Sequence, residues 1–129
     1  MRRSAAIVIL IISLLITGLA VAGPFEDATK AYDQGDYENA YRIIKPLADQ
    51  GYTEAQHKLG VLYEEGQGVP QDYVLAHMWF HLSASLTAAS QEMQVAAIKA
   101  RESIASKMTS AQIAEAQKVA REWKPKKER

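Results

Sequence analysis

The sequence predicts an all-α protein, a short stack of about three antiparallel helix pairs, and three observations predict it. Ala, Leu, Ile, Met, Gln, Glu and Lys dominate, with apolar residues at three- and four-residue steps, while β-branched alternation and hairpin turns are absent. Gly35-Asp36-Tyr37 followed by Ala40 recurs as Gln71-Asp72-Tyr73 followed by Ala76, an offset of 36 residues. Upstream, Tyr32 and Gly35 match Tyr63 and Gly66 at an offset of 31 residues, and the difference is the longer loop Gln67 to Gln71, with Gly68-Val69-Pro70 inside it.

Before the first pair, Met1 to Ala22 reads as a secretory signal. Arg2 and Arg3 precede the apolar run Ala5 to Ile16, and Ala20-Val21-Ala22 has the small-residue pattern that a signal peptidase cuts. Cleavage after Ala22 and a periplasmic or secreted location are the expectation. The alternative is a retained inner-membrane anchor, because the uncharged stretch from Ser4 approaches the ~20 residues that span a bilayer. Residues 23–129 then suit one small domain, divided into a degenerate repeat at 23–52, a full repeat at 53–87, a capping helix pair at 88–124 and a basic tail at 125–129.

In the first pair, Phe25, Ala28 and Tyr32 form one stripe, and Gly35 supplies the permissive residue past the helix end. Asp36 caps a second helix whose buried stripe is Ala40, Ile43, Ile44, Leu47 and Ala48, with Pro46 expected to kink it before Gly51 ends it. The second pair is expected to open on a capping box of Thr53 and Gln56. It buries Ala55, Leu59, Leu62 and Tyr63, with Gly60 admitting a close neighbour. Asp72 caps the next helix, which carries Tyr73, Ala76, Trp79, Phe80, Ser83 and Ala84. A third segment steps through Met93, Ala97, Ala100, Ile104 and Met108 from about Ala89. Thr109 with Gln112 opens a last helix through Ile113, Ala116, Ala120 and Trp123, which Pro125 stops, and Lys126 to Arg129 is expected to fray.

Composition narrows the function classes. There is no cysteine, which excludes disulfides, a Cys-ligated metal, a thiol nucleophile and a lipid-modified cysteine. The formal charge of zero hides an asymmetry: residues 23–92 sum to about −7 and residues 93–129 to about +5. That asymmetry suits end-to-end self-association or a polar partner surface. Nucleic acid is disfavoured as a partner, since the basic residues of the tail are interleaved with Glu102, Glu115 and Glu122 and no set of stacking aromatics accompanies them.

The run from Glu54 to Tyr73, EAQHKLGVLYEEGQGVPQDY, continued by Ala76 and Trp79-Phe80, closely resembles the Sel-one-like repeat, a relative of the tetratricopeptide repeat. The resemblance rests on the A-x-x-x-L-G-x-x-Y core, the G-x-G-V-P-x-D-Y loop and the aromatic pair in order. It covers residues 53–87 as one full repeat. It implies a right-handed α-solenoid acting as an adaptor or assembly scaffold for a protein or peptide, with no catalysis and no cofactor of its own. One exported branch of that family is cysteine-rich and associated with β-lactam hydrolysis, and this cysteine-free chain departs from it.

The chemistry-bearing side chains fit the adaptor reading. His77 and His81 stand at i and i+4, a spacing that lets both reach one metal, but the motif H-M-W-F-H lacks the glutamate of H-E-x-x-H and has no third ligand. They read as surface or boundary histidines, as does His57. Gly66-Gln67-Gly68 lacks both the third glycine and the preceding strand of a phosphate loop. No G-x-S-x-G, S-x-x-K or P-loop sequence occurs. A cell-wall hydrolase and a membrane-tethered assembly factor are the rival readings. If the second pair's first helix lines a binding face, the side opposite Ala55, Leu59 and Leu62 presents His57, Val61 and Glu64, the residues assigned to the partner.

Overall fold

The computed structural model describes residues 23–85 and 90–127. Residues 1–22, read above as a secretory signal, the start of the third segment at Ala88 and Ala89, and the last two residues of the tail lie outside them. Among the described residues there are six helices and no strand: α1 over 23–33, α2 Tyr37–Asp49, α3 Thr53–Glu65, α4 Tyr73–Ser85, α5 Gln91–Ala105 and α6 Ser110–Glu122.

Local chemistry sets most of the boundaries. Gly35 takes φ +78, and the Asp36 carboxylate accepts from the Asn39 N–H at 3.3 Å to start α2. Gly66 ends α3 in the left-handed conformation, and Asp72 accepts from the Leu75 N–H at 3.0 Å to start α4. α2 continues through Pro46 to Asp49. Ser90 caps α5 through the Met93 N–H, and Thr109 with Gln112 forms the full reciprocal capping box of α6.

The expected capping box at Thr53 does not form. Tyr52 is the residue before α3, it has no side-chain cap, and Gln56 is fully buried with its Nε2 donating to the Ala48 carbonyl at 3.3 Å. Gln56 thus reaches across the pair to a buried carbonyl in the last turn of α2, which also accepts from the Gly51 N–H, instead of folding back on its own helix. The two threonines should therefore differ on substitution. Thr109→Ala is expected to cost about 1 kcal/mol in urea unfolding, whereas Thr53→Ala, which removes no cap, should stay within about 0.5 kcal/mol.

The helices stack as an all-α solenoid of helix pairs. α2 packs on α3, α3 on α4, and α4 then takes both α5 and α6. Helix α4 is thus enclosed on several sides, which explains why Ala76, His77, Met78, Trp79, Phe80, Leu82 and Ser83 are all buried rather than one stripe of them. The core links the pairs through Ala28, Ala40, Ile44, Leu59, Leu62 and Phe80, each 0% exposed. Gly60 lets the Phe80 ring lie against the α3 backbone, since a Cβ there would sit 2.6 Å from the ring.

The chain beyond α6 returns to the first pair. Trp123 lies edge-on to Trp79 with ring centroids 6.1 Å apart, and Trp79 also receives Lys45 of α2 at 5.8 Å. Lys126, expected to fray, instead donates its N–H to the Asp49 carbonyl at 2.7 Å and sets its ammonium 3.4 Å from the Asp49 carboxylate.

Candidate functional site

His57, Val61 and Glu64 follow one another by four and three residues along α3 and so share one side of it. None is fully exposed. The His57 ring leans on Phe80 with centroids 5.3 Å apart, its Nδ1 has no hydrogen-bond partner, and burial, helped by the Lys58 charge, lowers its pKa. Val61 is half-buried against the core. The Glu64 carboxylate lies 4.0 Å from the Lys107 ammonium in the α5–α6 connection. Burial pushes Glu64 up and the neighbouring Glu65 adds to this, while Lys107 opposes both.

This stripe therefore borders the side of α3 that turns towards α4 and α5, and the residues of α3 most open to solvent are Glu54 and Glu65. The half-burial follows from Phe80 of α4, which lies beside His57, and from the α5–α6 connection, which brings Lys107 to Glu64. A helix wheel of α3 alone carries no signal of these neighbours. On the side facing the first pair, Lys58 places its ammonium 5.1 Å from the centre of the Tyr32 ring, and Tyr41 and Tyr63 bring their hydroxyls to 3.3 Å. Burial, with the hydroxyl of Tyr41, raises the Tyr63 pKa far above that of a free tyrosine, so this contact stays neutral.

The histidines of α4 do not sit at the surface as expected of both: His77 is buried, and only His81 is a boundary residue. Arg101 of α5, which no sequence signal picked out, brings its Nη1 to 3.1 Å from the His81 Nδ1. A guanidinium only donates, so that nitrogen is the acceptor and the ring proton lies on Nε2. Burial is the chief cause that lowers the pKa of both rings. Arg101 and His81 add to it for His77, and Arg101 and Arg121 add to it for His81. A cation already occupies the His81 lone pair, and no group of three or more metal-capable His, Cys, Asp or Glu residues occurs among the described residues.

These shifts carry a pH dependence. An unfolded histidine titrates near 6.5 and the folded rings titrate lower, so between those values the unfolded chain binds more protons. The stability they contribute is complete above about 6.5 and falls as the pH drops towards the folded values. Thermal unfolding should give a lower Tm near pH 5 than near pH 7.5, and His77→Gln should flatten that slope.

The comparisons with known proteins agree with this geometry. Residues 53–87, which hold α3 and α4 with the loop between them, match the family model described as the Sel1 repeat. A protein named DAP3-binding cell death enhancer 1, in Rattus norvegicus and again in Mus musculus, is 39% identical over 44 residues. That stretch is 34% of this chain and only 9% of each of those proteins. No solved structure matches the chain significantly. The match bears out the resemblance drawn from the G-x-G-V-P loop and aromatic pair, and Sel1 repeats are scaffolds for protein–protein interaction.

Proposed function

We propose that this chain is an exported scaffold or adaptor of the cell envelope that binds a protein or peptide through the α3 side of its stack and catalyses no reaction. The observation that carries the reading is the Sel1 repeat folded as α3 and α4 and joined to further helices on both sides. Such a stack offers a rigid surface longer than any one pair provides. Export rests on the n-region, apolar run and A-x-A site of residues 1–22. Among the described residues, no helix is long and apolar enough to cross a membrane.

The test is cross-linking in the exporting cell followed by capture of the tagged full chain. Wild type is compared with a His57→Ala, Val61→Ala, Glu64→Ala triple variant and with a Glu54→Ala, Glu65→Ala pair, each first checked for native helicity and melting. Loss of one recurrent partner in the triple variant alone supports the assigned face. Loss in the Glu54 and Glu65 pair alone moves the face to the open edge of α3, and the absence of any recurrent partner overturns the adaptor reading. N-terminal sequencing of the mature chain tests export, with Gly23 the expected first residue.

A further inference from the structure

Helix α5 keeps a side that none of the described residues covers. It buries Ala97 and Ile104 against α4, while Val95 and Ile98 are 45% and 37% exposed and Tyr52, far away in sequence, is the remaining large apolar residue exposed among those described. Gln91, Glu92, Val95, Ala96 and Lys99 line a shallow, open depression on that side. Glu92 and Lys99 stand seven residues, or about two turns, apart along it. Neither carries an ion pair with any described residue.

We infer that this side of α5 is a contact for a second copy of the chain, packed antiparallel about a two-fold axis between Val95 and Ala96. The order along the helix is acid, then apolar and small, then base. Turning a copy around that axis sets Glu92 against Lys99 of the second copy and Lys99 against its Glu92, with Val95 meeting Ala96 at the centre. A two-fold contact requires a patch complementary to itself, and this arrangement is. A partner of one charge sign would match one end of the patch and repel the other, whereas an identical copy matches both. The small side chain of Ala96 leaves room for the branched Val95 opposite it, and Ile98 flanks the pair. One helix face buries less area than a standard interface, so the dimer is weak and depends on concentration. This contact is separate from the partner face on α3 and does not rest on it.

Sedimentation of the full chain over a wide range of concentration should show a monomer that becomes a dimer. Glu92→Lys alone and Lys99→Glu alone each set like charges across both ends and should weaken dimerisation by roughly tenfold. Mixing these two variants sets opposite charges across the axis again, so a heterodimer should form at wild-type strength, as should the homodimer of the double charge swap. Because the chain has no cysteine, Ala96→Cys should give a disulfide-linked dimer on mild oxidation and Gln117→Cys, exposed on α6, should not. A monomer at every concentration overturns the proposal. So does a dimer indifferent to both charge reversals, or one that cross-links equally through either cysteine.

Discussion

Gly68→Ala is expected to be among the most damaging single substitutions in the chain, lowering stability by about 3 kcal/mol or more. Two independent costs meet there. Gly68 has φ +74, a conformation that an L side chain adopts with strain, and an added Cβ would come within 2.6 Å of the Tyr37 carbonyl carbon and 2.9 Å of the Glu38 nitrogen. Those are backbone atoms at the start of α2, and they cannot rotate aside as a flexible side chain would. Relief requires the loop of the second repeat to lift off the first pair. Gly35 separates the two costs, since it has φ +78 but nothing within 4 Å of its built Cβ. Gly35→Ala should show the conformational cost alone, about 1–2 kcal/mol. Urea unfolding of both variants beside wild type measures the difference, and equal losses would mean that the loop does not bear on α2.

That contact also shows where the sequence was legible and where it was not. Signals whose partners lie within a few residues survived intact: the Asp36 and Asp72 caps, the capping box of Thr109 and Gln112, and the Gly66 stop all form. The Gly-Val-Pro loop stands out in the sequence as the insertion of the second pair, but its seat on Tyr37 does not, because two segments about 30 residues apart leave no local pattern. The same limit applies to Lys126 and Asp49, joined across 77 residues. Thr53 and Gln56 had capping-box spacing, yet the Ala48 carbonyl in the last turn of α2 took the glutamine. His77 failed for another reason. The wheel of α4 assumed a solvent side, and a helix flanked by α3, α5 and α6 has little of one. His57, Val61 and Glu64 share one side of α3, but their exposure depended on Phe80 of α4 and on Lys107 in the α5–α6 connection.

The centre of the repeat yields the sharpest energetic test. Phe80 is 0% exposed and fills the space over Gly60, so Phe80→Ala should cost about 3–5 kcal/mol through lost burial and the cavity left behind. Gly60→Ala acts from the other side of the same contact. Alanine favours the helix by about 1 kcal/mol over glycine, but its Cβ would stand 2.6 and 2.7 Å from two ring carbons of Phe80. The ring is held by α3 and α4 together and has little room to retreat, so overpacking of about 1–3 kcal/mol should outweigh the helix gain. The two substitutions must then be non-additive, because removing the ring removes the clash. In the Gly60→Ala, Phe80→Ala double variant the alanine at 60 should become stabilising, and the pair should unfold later than Phe80→Ala alone. A coupling near zero in this cycle would mean that α3 and α4 pack without the Gly60–Phe80 contact, and the close helix crossing would need another cause. A coupling of about 1–3 kcal/mol would assign to the L-G step of the repeat a physical role: it removes a side chain so that an aromatic from the next helix can lie on the backbone.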